Sequence, residues 1–401
     1  MAVLGLQWAA VLVPGSLPLI LVTGEALGLR GAEAESHLAR SLLFVALFTL
    51  GQLAVGHRLP AFEGPASVTL AAVLVAMRAG PADPLGAVGG GLLVSGAVLA
   101  VLGGTGAFRP LLRAYTPLVN GTFLVVLAVT VGWTLLPDAV APTGTSPGIA
   151  RVGLTVVVGT PLVLGVLGPP RLRAMSFLLG FLGGLAVFAL AGEIHPVAAL
   201  GGPVLSLDEP TFDPEVAIPL GAAAFLVALN SLSTGVAVSR AAGGATPGPA
   251  IGRGFLVTAI SHAVQGLVPG VGTVPHAESA SLVERRPELA RSSLVVGALI
   301  VGGVALVPPA RGFLMGLPTA LSRDVVLAVM ATMALIGVRE LRRVRWSPTR
   351  VAVFGVSLGV AWLLLGIPVD RFPAALRPLV PGPVPVAVAV ALAGEALHRR
   401  L

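Results

Sequence analysis

The chain consists of long apolar runs separated by short polar stretches. About fourteen such segments recur from end to end, and most approach the roughly 20 residues that a helix needs to cross a bilayer. They lie near residues 5–24, 39–56, 65–79, 84–104, 110–135, 151–168, 173–192, 216–239, 251–268, 275–285, 290–308, 315–337, 349–366 and 380–398. The pattern predicts an all-α polytopic membrane protein.

Two of these segments, near 65–79 and 275–285, are too short for ordinary crossings, and Gly and Pro interrupt them. They are the third and the tenth of the fourteen, which are equivalent places in two halves of seven. Short, interrupted segments at matching positions are typical of transporters that are built from two inverted repeats, with the binding site where the broken helices meet. The spacing therefore predicts 7+7 inverted repeats with a site between these two segments.

Composition and charge support a membrane location. Hydrophobic residues make up 55% of the chain and charged residues 11%, so a soluble domain would lack a polar surface. Most Arg residues fall in loops that face the cytoplasm if both termini lie there, and this bias fits a multi-pass protein of the cell (inner) membrane. The Arg residues are scattered, so nucleic acid is not an expected partner. Without Cys, disulfides and thiolate metal sites are excluded, and no cofactor or metal is predicted.

Glu278 is the most informative single residue. It lies in the stretch VPGVGTVPHAESASLVE, while the other carboxylates are expected to stay out of the apolar segments. A carboxylate inside a span usually faces a cavity, a partner or a substrate. The alternative is a solvated loop just before the charged run at 284–291. Glu63 precedes the third segment and is expected either to balance Arg58 or to begin a half-helix there.

Several motifs occur in an order that resembles the nucleobase–ascorbate transporters, the family of uracil and xanthine permeases. They are LGLQWAAVLVPGSLPLILVTGEALGL, with Trp8 in place of a usual His; GHRLPAFEGPAS; YTPLVNGTFLVVLAVTVG; LVALNSLSTGVAVSRAAG; and GVGTVPHAESAS. The resemblance runs along almost the whole chain.

The resemblance implies a particular fold and organisation. Residues 1–108 and 201–309 would form a core domain, and residues 109–200 and 310–401 a gate domain. The third and tenth segments would each begin as a short strand and continue as a half-helix. The resemblance also implies a homodimer and an elevator-type motion of core against gate.

The same resemblance assigns a substrate site. Glu278 falls on the carboxylate position of the tenth segment, and Ser67 on the final Ser of the motif before the third segment. Asn230 and Thr234 replace a usual Glu and a usual acidic or His residue on the eighth segment. His276 falls on an aromatic position two residues before Glu278, and Ser279 falls on the position of a usual Asn. Glu278 and His276 are the candidates for proton coupling, with H⁺ or Na⁺ as the coupling ion.

The sequence thus predicts a secondary active transporter of a nucleobase-like heterocycle such as uracil or xanthine. One alternative is a small-anion transporter of the similar sulfate-permease-like fold, and another is an uncoupled facilitator of a small polar solute. A non-transporting membrane scaffold is a further alternative. An enzyme is not expected, because the chain has no HExxH or Asp-rich metal motif and no nucleophile–base pair within its spans.

Overall fold

Helices account for nearly all regular structure in the first half of the chain. The computed structural model describes residues 2–108, 115–142, 144–169, 172, 175–195, 197–198, 200–244, 248–276, 279–283, 287–367, 371 and 382–398. The elements of the first half are α1 (Ala2–Ala26), α2 (Gly31–Ala54), β1 (Glu63–Pro65), α3 (Ser67–Ala76), a 3-10 turn (Met77–Ala79), α4 (Pro84–Thr105), α5 (Pro117–Val140), α6 (Pro147–Leu167) and α7 (Ser176–Leu190).

The second half repeats this order of elements, with one short helix in addition. Its elements are α8 (Pro214–Ala241), α9 (Gly248–Leu267), β2 (Thr273–Pro275), α10 (Ser279–Val283), α11 (Pro287–Leu306), α12 (Pro308–Met315), α13 (Thr319–Leu341), α14 (Pro348–Gly366) and α15 (Pro383–His398). In both halves a strand precedes the third helix, which is short. Within the described residues, nine helices are long and apolar enough to cross a membrane.

The predicted fold class is confirmed. Each of the fourteen predicted segments corresponds to a helix, the third and tenth begin at short strands, and α12 is the one described helix that the pattern did not predict. Boundaries differ most at α2, which begins at Gly31 rather than near residue 39. The polar residues at the start of α2 lower the local hydropathy, so the apolar pattern did not predict its first two turns.

Several helices begin at a side-chain cap followed by proline. The side chains of Asp83, Thr116, Asp213 and Ser347 each accept a hydrogen bond from a backbone N–H of the first turn, and a proline follows each of them. The cap satisfies an N–H group that has no partner within the helix. Proline fits the first helical position because its missing N–H is not needed there. These four dipeptides therefore fix where α4, α5, α8 and α14 start.

Small residues bring α4 and α9 into close contact. Glycines recur every seventh position on α4, at Gly89, Gly96 and Gly103. A Cβ atom at any of them would lie 2.6–2.9 Å from a carbonyl oxygen of α9. In a membrane, where lipid is as apolar as the side chains, helices associate through such close backbone packing. α4 also packs against α8, so it sits between α8 and α9.

The remaining contacts form two groups of helices. α11 packs against α1 and α2, and α3 packs against α8. Separately, α13 packs against α5 and α6, α7 against α6, and α15 against α14 and α5. The two groups touch mainly where α1 meets α13 and α7, where α3 meets α5, and where α8 meets α15.

The expectation that carboxylates stay out of the apolar segments is wrong. Asp324 on α13 and Glu395 on α15 are buried within segments predicted from apolar runs. Glu395 forms an ion pair with Arg350, at 2.7 Å. At the start of α2, Glu35 forms an ion pair with Arg311 at 2.9 Å, although the two atoms are not aligned for a hydrogen bond. Pairing with an Arg from a distant part of the chain makes the burial of Glu395 and Glu35 possible. Such pairing cannot be recognised from the local hydropathy of the sequence.

The pair of Glu35 and Arg311 gives a stability prediction. Both side chains are only 4% exposed. Arg311→Met is expected to lower the free energy of unfolding by about 3–5 kcal/mol, because it leaves a buried carboxylate without its partner. The double variant Arg311→Met/Glu35→Gln should recover most of this loss. Unfolding in detergent is the measurement.

The control for this prediction is the surface pair of Arg343 and Glu340, where Arg343 is 69% exposed. Arg343→Met is expected to change stability by about 0.5 kcal/mol or less. Equal losses for Arg311→Met and Arg343→Met would contradict the structural role of the buried pair.

Candidate functional site

The two strands cross each other at the centre of the candidate site. β1 and β2 pair antiparallel, with Glu63 opposite Pro275, Gly64 opposite Val274, and Pro65 opposite Thr273. Two further backbone bonds extend the pairing at its ends, from Ala66 N to Gly272 O at 3.0 Å and from His276 N to Phe62 O at 3.0 Å. All six strand residues are buried. The pairing satisfies backbone groups that would otherwise lie unbonded at membrane depth.

Proline and glycine explain why helices do not continue through this region. Pro65 and Pro275 lack an N–H group, so neither residue can donate the backbone hydrogen bond of a helix interior. Gly272 has φ +66°, a backbone conformation that residues with a Cβ rarely adopt. After each strand the helix starts again, α3 at Ser67 and α10 at Ser279. The predicted strands at the third and tenth segments therefore form because the motifs themselves contain Pro65, Gly272 and Pro275.

A row of three rings runs along one side of the strand pair. The rings of Phe62 and His276 lie 4.8 Å apart between centroids, and Trp8 of α1 meets Phe62 edge-on at 6.3 Å. The indole of Trp8 donates a hydrogen bond to Ser293 Oγ at 3.0 Å. His276 Nε2 faces Pro65 O at 3.2 Å, so this nitrogen carries the proton and donates it. The sequence indicated Trp8 and His276, but Phe62 between them was missed.

α8 holds the strand β2 by two side chains. Thr234 Oγ1 donates to Pro275 O at 3.1 Å, and Asn230 Nδ2 reaches the same oxygen at 3.4 Å. Because proline contributes no N–H, these bonds at its carbonyl help to fix the end of β2. Thr234 is fully buried, whereas Asn230 is half-buried. Of the two side chains, only Asn230 is partly exposed.

The other predicted site residues, Ser67, Ser279 and Glu278, differ in their burial and contacts. Ser67 begins α3, is half-buried, and its hydroxyl lies 3.9 Å from Met333 Sδ on α13. Ser279 is buried and its hydroxyl accepts a hydrogen bond from Phe62 N at 3.1 Å, so it connects the start of α10 to β1. Glu278 lies outside the described residues. Ser67, Asn230 and His276 are thus half-buried polar groups that adjoin the strand pair, while Thr234 and Ser279 brace the backbone.

A polar cluster on α9 supports the strand pair from another side. His262 Nε2 donates to Thr273 O at 3.0 Å, and its Nδ1 lies 2.9 Å from Ser95 Oγ. Gln265 Oε1 accepts from the backbone N–H groups of residues 271 and 272, at 3.0 and 3.1 Å. His262 and Gln265 are three residues apart and therefore share one face of α9. The sequence does not show which partners this face contacts.

A helical membrane bundle in which two interrupted segments cross at paired strands is the architecture of a secondary transporter. The sequence profile of the Permease family, which is that of the xanthine and uracil permeases, matches residues 1–369. The chain belongs to this family of permeases, and the predicted resemblance is confirmed. It is therefore a transporter and not an enzyme.

Curated relatives agree over most of their lengths. The chain is 22% identical over 401 residues to the uric acid transporter UacT of Escherichia coli K12, covering 94% of this chain and 82% of UacT. It is also 22% identical over 362 residues to the uric acid permease PucK of Bacillus subtilis 168, covering 85% of this chain and 81% of PucK.

Solved structures show the same fold at lower identity. The transmembrane domain of the cyanobacterial bicarbonate transporter BicA superposes with a TM-score of 0.64 at 15% identity, covering 98% of this chain and 95% of that one. SLC26A9 superposes with a TM-score of 0.66 at 12% identity, covering 99% and 64%. These two likenesses concern the fold alone.

The crossing itself gives a second prediction. A Cβ atom at Gly64 would lie 2.7 Å from His276 Nε2, a distance that forces the ring to move. Gly64→Ala is therefore expected to weaken solute binding and transport at least tenfold, a change of about 1.4 kcal/mol, while the protein still folds. Binding by the purified variant in detergent is the measurement. Gly303→Ala is the control, because a Cβ atom at Gly303 on α11 would meet nothing within 4 Å.

Normal binding by Gly64→Ala would show that the ring of His276 can shift without consequence. Equal loss in Gly303→Ala would instead point to a general effect of replacing helical glycines.

Proposed function

We propose that this permease moves a purine-like heterocycle, of the class of uric acid or xanthine, across the cell membrane. The observation that supports the proposal is that three half-buried polar side chains, Ser67, Asn230 and His276, adjoin the strand pair. These side chains supply both donors and acceptors. A planar heterocycle with alternating N–H and C=O groups can pair with such a set. The names of the uric acid relatives point to the same class of solute.

The roles of the individual residues follow from their surroundings. We infer that Asn230 contacts the solute with its amide, because its bond to Pro275 O is long at 3.4 Å and the side chain is half-buried. Ser67 contributes its hydroxyl at the start of α3. Thr234 and Ser279 act through the backbone that they hold. Glu278, as a solute ligand and a proton-coupling residue, stays a prediction, as does coupling through His276.

We propose that the two groups of helices are the units that move against each other. Residues 1–108 and 201–309 form the core, and residues 109–200 and 310–401 form the gate. The packing of α4 with α8 and α9, and of α11 with α1 and α2, supports the first unit. The packing of α13 with α5 and α6 supports the second. Location in the cell membrane with both termini cytoplasmic, and the homodimer, belong to the same proposal.

A small anion is the second candidate cargo, because the fold is shared with a bicarbonate transporter. Against it stands the chemistry of the crossing. The predicted site side chains that the structure describes there are two serines, a threonine, an asparagine and a histidine, and none of these carries a fixed positive charge. An anion site built without Arg or Lys would depend on backbone dipoles and neutral donor side chains. The polar, largely uncharged set favours a heterocycle.

Uptake into proteoliposomes tests the proposed solute. Radiolabelled uric acid and xanthine are expected to enter vesicles that contain the wild-type protein, and bicarbonate or sulfate is not. Asn230→Leu is expected to reduce uptake at least tenfold, since a lost hydrogen bond and an unpaired solute group together cost about 1–3 kcal/mol. Ser231→Ala is the matched control, because the one bond of the Ser231 hydroxyl to a described residue is to Val227 O of its own helix, at 2.8 Å.

Uptake of anions but of no purine would overturn the proposed cargo. Full uptake by Asn230→Leu would remove this residue from the site and leave the cargo unaffected.

Motion of core against gate can be tested by a disulfide, since the chain has no native Cys. A Cβ atom at Gly382, before α15, would lie 4.0 Å from the Cβ of Val75 on α3, within the range of disulfides. Oxidised Val75→Cys/Gly382→Cys is expected to stop uptake, and reduction to restore it. The control is Val157→Cys/Gly184→Cys, which joins α6 to α7 inside the gate at a Cβ separation of 3.7 Å.

Because Gly382 has φ +96°, the single variant Gly382→Cys measures any effect of backbone strain. Normal transport by the oxidised core–gate pair would contradict a relative motion of α3 and α15.

A further inference from the structure

Glu63 is a buried carboxyl group that the proposed solute site does not use. It is the first residue of β1, and its side chain is 0% exposed. Successive side chains of a strand point to opposite faces. The next residue, Gly64, lies against the ring of His276, so Glu63 points to the face away from that ring. There its polar neighbours are the Thr273 hydroxyl and the Gln52 amide.

The carboxyl group of Glu63 lacks a normal partner. Neither oxygen makes a hydrogen bond of ordinary length and angle with the described residues, in spite of the two neighbouring polar groups. Arg58 does not balance it, because Arg58 is exposed and donates to Ala54 O at 3.1 Å. The expectation of a Glu63–Arg58 pair is therefore wrong. Glu63 does not begin the half-helix either, since α3 starts at Ser67.

Among the described residues, no ionisable side chain of the neighbouring elements forms an ion pair with Glu63. On the side of β2 and α9, His262 donates to Thr273 O and His276 faces Pro65 O. After α2, His57 Nδ1 accepts from the N–H of residue 59. On α1, Glu25 forms an ion pair with Arg323. The ionisable residues of α2 lie towards its other end, at Glu33, Glu35, His37 and Arg40.

A carboxylate buried without a cation is costly, so the group needs either a proton or a metal cation. The surroundings decide between these two. An alkali cation needs several oxygen ligands, but Gln52 Oε1 already accepts from His57 N at 3.3 Å. The Gln52 amide nitrogen donates to Gly254 O and Thr258 Oγ1, both at 3.1 Å. The Thr273 hydroxyl already shares a hydrogen bond with Ser261 Oγ at 2.7 Å. These neighbours therefore offer too few free oxygen ligands for a metal cation, and a proton is the better partner for the carboxylate.

We propose that Glu63 is the proton-binding residue of this transporter. Its carboxylate takes up one proton from water on one side of the membrane and releases it on the other, and no other bond changes. The neutral carboxyl group is the form that fits the buried position. The coupling role rests on the proposed function, whereas the protonation of Glu63 can be tested without any solute.

The strand provides the connection between this proton and the solute site. Glu63 N donates to Thr49 Oγ1 at 2.9 Å, which fixes β1 to α2. The adjacent Phe62 accepts from His276 N through its carbonyl and donates to Ser279 Oγ through its N–H. A change of charge at Glu63 therefore acts on the strand that positions His276 and the start of α10. The proton and the solute lie on opposite faces of the same short sheet.

Infrared spectroscopy tests the protonation directly. The purified wild-type protein is expected to show the C=O stretching band of a protonated carboxyl group at neutral pH, and the difference spectrum against Glu63→Gln should isolate it. The band should disappear as the pH is raised, and this loss should be absent from Glu63→Gln. Asp324→Asn is the control, since Asp324 is a second buried carboxyl whose oxygens lack hydrogen-bond partners among the described residues.

Transport measurements test the coupling. With an inward proton gradient of one pH unit, wild-type vesicles are expected to accumulate radiolabelled xanthine up to about tenfold, the ratio that one pH unit supports for one proton per solute. Glu63→Gln should still exchange xanthine across the membrane but should not accumulate it above equilibrium. Glu278→Gln is run beside it to compare the other candidate carboxyl.

Each outcome decides the proposal. Absence of the carboxyl band, or a band that appears only when sodium is removed, overturns proton binding at Glu63. A band that titrates, together with unchanged proton-driven accumulation in Glu63→Gln, overturns the coupling role. If no purine is transported by any variant, the proposed function fails, while the infrared result still decides whether Glu63 binds a proton.

Discussion

The antiparallel pairing of β1 with β2 is the interaction on which the rest of the site depends. In a bilayer, backbone groups outside helices must find partners within the protein. Two interrupted helices solve this together, because each strand satisfies the other. The prolines that interrupt them also lower the number of N–H groups that need partners. The broken segments are therefore mutually required, and neither would be stable at this depth alone.

The pairing leaves backbone groups at its ends and edges, and side chains from the two helices α8 and α9 bind them. Asn230 and Thr234 of α8 hold Pro275 O, and His262 of α9 holds Thr273 O. Gln265 Oε1 holds the turn that enters β2. The same side chains thus have a structural task before any solute is considered. Asn230 is also half-exposed, so the same residue has this structural bond and the proposed contact with the solute.

The sequence predicted the order of elements well because hydropathy and helix-breaking residues are local signals. Fourteen segments, two of them broken, follow from apolar runs, Gly and Pro. The start of α2 was missed because Glu35 and Arg40 look like loop residues until their partners are known. Glu35 pairs with Arg311, and Arg40 donates to Ser206 and Pro269. All three partners lie far away in the sequence. Long-range pairing of this kind leaves no periodic trace.

The site shows the same division between local and long-range information. Motif positions indicated Ser67, Asn230 and His276, yet the sequence did not distinguish these half-buried groups from Thr234 and Ser279, which brace the backbone. Phe62 and Glu63 occupy variable-looking places inside a motif, and only the strand register shows that they face different sides. A bicarbonate transporter has the same backbone architecture at 15% identity. Function therefore depends on the few side chains that are placed on a shared backbone architecture. The buried carboxyl of Glu63 behind β1 is one of these side chains.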